Sequence, residues 1–117
     1  MRKAMEAIEG TRGTFKGTFV RMGNKPCTFK RGREGFLPTL LLKNISDMSG
    51  NRLADHMWFN YTLGFMKLGE LNEGDIIQFD GRCKPYEKGY KGYRDDVYYP
   101  IEKDFKFGYP TKITLIR

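Results

Sequence analysis

Apolar and polar residues alternate with a period of two along most of this 117-residue chain, and glycine-rich stretches interrupt the alternation. Alternation of that period marks half-buried strands. It predicts a first strand over 14–22, where Phe15, Gly17 and Phe19 alternate with Lys16 and Thr18. Gly17 inside it predicts a bulge or bend. A second strand is predicted over 40–45 and a third over 56–61. Between them Asp47-Met48-Ser49-Gly50-Asn51 is turn chemistry, with Asp opening and Gly-Asn supplying positive φ. Residues 76–83 predict a fourth strand after the turn 72–75, and 112–117 a fifth. Over 62–71 the period changes: Leu63, Met66, Leu68 and Leu71 give one short helix with an apolar face, with Thr62 as its N-cap. Residues 1–10 predict a short helical or frayed lead-in, with Met1, Met5 and Ile8 at intervals of three and four.

Two stretches remain without a clear period. Residues 23–36 read as a loop or irregular hairpin, and 84–110 as a long aromatic connection that must be a local hairpin or a functional loop. The order predicts an all-β domain with small α content over 11–117, behind the lead-in 1–10, with no repeat and no second core.

A helix between the third and fourth of five strands is the element order of the OB-fold, a five-stranded and partly open barrel. The segment Leu68-Gly69-Glu70-Leu71-Asn72-Glu73-Gly74-Asp75-Ile76-Ile77-Gln78-Phe79-Asp80-Gly81-Arg82 resembles the entry to strand four in many OB proteins. The hairpin Gly50 to Phe59 is similar to the second-to-third strand crossing of OB domains that bind single-stranded nucleic acid. The resemblance implies a five-stranded OB-fold barrel with a short helix between strands 3 and 4 and a long loop between strands 4 and 5. It also implies a binding face across strands two and three, flanked by 23–36 and 84–110.

Charge sharpens the picture. The chain carries 21 Lys and Arg against 14 Asp and Glu, a formal +7, and such an excess points to a polyanion partner. Residues 11–36 hold Arg12, Lys16, Arg21, Lys25, Lys30, Arg31 and Arg33 against Glu34 alone. Phosphates bind such a patch by Coulomb attraction and counterion release. In 84–94, Lys84, Lys88, Lys91 and Arg94 interleave with Tyr86, Tyr90 and Tyr93, which suits backbone tracking with base stacking. Residues 95–110 are expected to pack their loop onto the barrel. Alternation puts His56, Trp58 and Asn60 on one face of the third strand and Met57, Phe59 and Tyr61 on the other, and is even-handed about which faces inward. We place the second set inside and Trp58 on the binding face.

The expected function is therefore binding of single-stranded nucleic acid, DNA ahead of RNA and largely without sequence preference. Its site residues are Arg21, Lys25, Lys30, Arg31, Arg33, Trp58, Lys84, Tyr86, Lys88, Tyr90, Lys91, Tyr93 and Arg94. Alternatives are an RNA-binding OB domain, or a protein-interaction module that docks through 84–110.

An enzyme is not expected. The sequence has none of the G-x-x-x-x-G-K-[ST], H-E-x-x-H or G-x-S-x-G motifs. Asp95, Asp96, Glu102 and Asp104 could hold Mg²⁺, but a run of acids in a loop reads first as solvated charge. No cofactor or metal is implied, and no apolar run is long enough for a membrane span. MRKAMEAIEG lacks the apolar core of a secretory signal, so the expected location is cytoplasmic, with Cys27 and Cys83 as reduced thiols.

Overall fold

The computed structural model describes residues 3–88 and 102–116. In it the alternating segments form one five-stranded antiparallel sheet. The strands are β1 (Arg12–Thr28), β2 (Glu34–Asp47), β3 (Arg52–Asn60), β4 (Ile76–Lys88) and β5 (Glu102–Ile116), in the spatial order β3-β2-β1-β4-β5. Helix α1 (Lys3–Glu6) precedes them, and α2 (Leu63–Met66) lies between β3 and β4. The fold is all-β. β3 and β5 are the sheet's two edges, and among the described residues no ladder joins them, so the barrel is not closed.

The sheet nevertheless coils on itself. Phe59 of β3 and Phe79 of β4 stand three strand spacings apart in the sheet, about 14 Å if it were flat. Their ring centroids are 5.3 Å apart, edge to face. Bulges supply the bend. The β1–β2 register slips at Gly17, between Lys16 and Thr18, and again at Val20, between Phe19 and Arg21. A Cβ on Gly17 would stand 2.7 Å from Ile45 Cδ1, so only glycine permits this approach. The β4–β5 register slips twice more, and the extra residues fall where Tyr109 and Lys112 take positive φ.

Inside the coil Phe15 and Phe107 meet at 4.4 Å, Phe79 and Phe107 at 5.4 Å, and Phe59 and Phe65 at 6.0 Å. Leu40, Leu42, Ile45 and Ile77 are fully buried around them. Each tilted ring pair contributes about 0.5–1.5 kcal/mol beyond its buried area. Phe105 and Phe107, expected to pack their segment onto the barrel, are core residues of β5.

Several expectations need correction. Of the two readings of the lead-in the helical one holds, in α1, and it is anchored: Met5 is fully buried, and its carbonyl accepts a bond from the Cys83 thiol at 3.2 Å. Gly10 N–H donates to the Cys83 carbonyl and Cys83 N–H to the Thr11 carbonyl, which ties the segment to β4. The predicted helix 62–71 shrinks to one turn, Leu63–Met66. Its buried residue is Phe65, while Leu63 and Met66 are exposed, because a single turn can bury only one position deeply. Thr62 caps with its backbone carbonyl, which accepts from Phe65 and Met66 N–H, and its hydroxyl makes no cap bond. In the Asp47 turn only Gly50 has positive φ, and Asn51 instead bonds Asp47.

The largest correction concerns the two aperiodic stretches. Residues 23–28 and 34–36 extend β1 and β2, with Pro26 opposite Phe36. Residues 84–88 and 102–110 likewise extend β4 and β5, from Pro85 opposite Phe105 to Lys88 opposite Glu102. Both are two-stranded arms. The cores of β1, β2 and β4 have ladders on both sides, but the arms do not, so the proline nitrogens can face outward without a lost partner.

Candidate functional site

Where the two arms leave the sheet they bound a cleft of about 820 Å³. One wall is the β1–β2 arm, with Asn24 and Lys25, and Thr39 of β2 at its root. The floor is the end of β3 with Trp58, Phe59 and Asn60, followed by Thr62. The other wall is the β4–β5 arm, with Lys84 and the run Lys106 to Pro110. The cleft therefore opens on the seam between the two unpaired edges, β3 and β5.

Alternation on β3 orients the floor. Met57 and Phe59 are buried at 2% and 5% exposure, while Trp58 is 43% exposed. Trp58 lies opposite Leu41, which lies opposite Arg21, so the three form one row across β3, β2 and β1. The Arg21 guanidinium carbon is 4.9 Å from the Trp58 ring centroid. The indole also lies across Gly23, where an added Cβ would come within 2.6 Å of the ring. Gly23 thus leaves room for the ring to lean along the β1–β2 arm.

The opposite wall repeats the pairing of cation with ring. Lys84 Nζ stands 4.2 Å from the centre of Tyr109, and its stem lies against Gly108, where a Cβ would come within 2.8 Å of Lys84 Cδ. Tyr109 sits in a bulge of β5 with φ +51° and is 77% exposed. Farther out, Lys106 Nζ is 5.5 Å from the Tyr86 ring. Each such pair is worth about 0.5–1 kcal/mol at an exposed position. Arg21, Lys25, Lys84 and Lys106 make the surroundings of the cleft electropositive. The carboxylate of Asp104 is buried, with Oδ1 accepting from Phe105 N–H at 2.9 Å.

The residues expected from sequence divide into three groups. Arg21, Lys25, Trp58 and Lys84 meet at the cleft, with Tyr86 beyond on β4. Lys30, Arg31 and Arg33 do not line it. They occupy the tip of the β1–β2 arm, where Phe29 N–H donates to the Arg33 carbonyl and Arg31 takes φ +66°. Lys88 ends β4. Tyr90, Lys91, Tyr93 and Arg94, with Asp95 and Asp96, lie outside the described residues.

Sequence reasoning missed Asn24, Thr39, Asn60, Thr62, Lys106 and Tyr109. The signal for Asn60 was present, because it shares the face of Trp58 at a spacing of two. Tyr109 was assigned to packing with its neighbours; the bulge that turns it outward leaves no mark in the alternation.

Away from the cleft the described cysteines are free thiols, Cys27 half-buried and Cys83 buried. Burial, and secondarily the charge of Glu9, pushes the Cys83 thiol above its ordinary value. Among the described residues no helix is long and apolar enough to cross a membrane. The chain matches no protein-family model, no curated protein and no solved structure.

Proposed function

We propose that this chain is an OB-type module that binds single-stranded nucleic acid, DNA in the first instance, in the cleft between its two arms. The observation that carries the reading is the exposed Trp58 ring on the cleft floor, with cations on both walls. Bases stack on exposed rings with about 1–3 kcal/mol each and little regard for identity, while cations draw the phosphates. A helix between the third and fourth strands supports the OB assignment. So does the position of the cleft, which reaches Trp58 on β3 and is flanked by the β1–β2 and β4–β5 connections, the two that flank the binding face of that fold. Single strands fit this arrangement better than duplex, because stacking needs bases with a free face.

Salt-titrated fluorescence anisotropy with labelled single-stranded DNA, single-stranded RNA and duplex tests the reading. Single-stranded DNA binds most tightly, with a log–log salt slope of about −0.7 for each phosphate neutralised. No binding at low salt, or equal affinity for duplex, overturns it. Reversing Arg31 and Arg33 at the arm tip to Glu weakens binding by about tenfold or more at low salt. Unchanged affinity in that variant would confine the phosphate contacts to the cleft walls.

A further inference from the structure

Two aromatic rings rest on one face of the β1–β2 arm in the same way. Trp58 lies across Gly23. Phe29, just past the end of β1, lies across Gly35, where an added Cβ would come within 2.5 Å of Phe29 Cε2. Gly23 stands opposite Thr39 and Gly35 opposite Cys27, and the register between these pairs is unbroken. The two pairs are an even number of positions apart, so both glycines belong to one face of the ribbon, about 13 Å apart along it. Each ring keeps an open side, with Trp58 43% and Phe29 46% exposed. Between the rings Lys25 and Leu37 oppose each other on the same face. Glu34, opposite Thr28, falls on the other face by alternation. The arm residues on the face that holds the rings therefore include the cations Arg21 and Lys25 and no carboxylate.

We infer that Phe29 is a second stacking station for single-stranded nucleic acid, and that the strand runs from the cleft floor along this face of the arm to its tip. This rests on the nucleic-acid reading above and adds to it a residue and a path. A base stacks on any ring with a free side, so the station asks for no particular sequence. The backbone between the two stacked bases passes Lys25. Beyond Phe29 it meets Lys30, Arg31 and Arg33, which lie outside the cleft and draw its phosphates. The path thus brings the tip cations and the cleft onto one ligand. Gly23 and Gly35 serve the two rings alike, because a side chain at either would displace the ring from the ribbon. The site then extends beyond the cleft, and stacking on Phe29 adds to the affinity of every strand long enough to reach it.

The test uses a labelled thymine strand of about sixteen nucleotides, the upper end of what one such fold occupies. Phe29→Leu keeps an apolar side chain and removes the ring. It weakens binding about fivefold or more, and the salt slope stays that of the wild type, because a lost stack releases no phosphate contact. Phe29→Trp retains the affinity. In a chain carrying both Trp58→Phe and Phe29→Trp, the single indole sits at the arm tip, and its emission falls as the strand is added. Wild-type affinity in Phe29→Leu overturns the inference. So does a loss accompanied by a shallower slope, which assigns the effect to the neighbouring cations. Unchanged emission from the indole at position 29 under saturating strand overturns it independently. Failure of the wild type to bind the strand at low salt overturns the nucleic-acid reading itself.

Discussion

The guanidinium of Arg21 stands 4.9 Å from the centre of the Trp58 ring, although β2 runs between their strands. The two strands lie about 9.6 Å apart, so both side chains lean over Leu41 to meet. The contact sets the guanidinium against the indole. Trp58→Ala should weaken single-stranded DNA binding by about 1–3 kcal/mol. Trp58 fluorescence in the wild type should fall as a thymine strand is added. Arg21→Ala should cost less and reduce the salt slope by about one. Wild-type affinity in Trp58→Ala would place the ligand somewhere other than this cleft.

Gly23 offers a way to move the ring without removing it. A Cβ there meets the indole at 2.6 Å and the Thr39 hydroxyl at 3.1 Å. Gly23→Ala should therefore displace Trp58, change its emission spectrum and reduce DNA affinity while the melting temperature changes little. An unaltered spectrum would show that the ring does not rest against Gly23.

Turn 47–51 carries a pH dependence. The Asp47 carboxyl is held below its ordinary value of 3.8, chiefly by the Asn51 side chain and then by the Asn51 backbone N–H. The N–H groups of Ser49 and Asn51 both donate to Oδ1 at 2.9 Å, and Asn51 Nδ2 donates to Oδ2 at 3.1 Å. A lowered folded value means that the stabilisation is complete above the unfolded value and is lost as pH falls through the folded one. Asp47→Ala should lower the melting temperature at neutral pH, and the gap from wild type should close in strong acid. A gap that stays constant with pH would assign the effect to the turn's backbone alone.

Cys83 behaves in the opposite sense. Its thiol lies above the ordinary 9.0, so the neutral form favours the fold below that pH, and the advantage is lost as pH rises toward the raised value. A disulfide reagent should titrate a single thiol, Cys27, in the native protein, and Cys83 only after denaturation. Fast reaction of both thiols in the native state would mean that the α1 segment does not seal Cys83.

Period-two alternation made the middle of each strand legible, and on β3 it divided Met57 and Phe59 from Trp58 and Asn60. Side-chain chemistry made the Asp47 turn legible too. The arms were hidden for a physical reason. Gly23, Pro26 and Gly35 read as loop punctuation, yet a ribbon with open outer edges accommodates residues that a central strand rejects. Met5 and Phe65 were harder, because α1 and α2 are single turns whose place is set by the core they plug rather than by any period of their own. Lys84 and Trp58 were found by residue type; their partners Tyr109 and Arg21 meet them only through a bulge and a strand register.

The unpaired edges of β3 and β5 face each other across the cleft. Exposed strand edges invite pairing with other chains, and among the described residues no ladder seals this seam. On the proposed function, a single strand seated there would cover those edges and add to the stability of the native state by mass action, about 2.7 kcal/mol at a ligand concentration a hundred times Kd. Such a ligand would then also serve as a keystone. The lifetime of the fold, and its resistance to aggregation, would follow the supply of free strand around it, and the protein would persist where it has work to do.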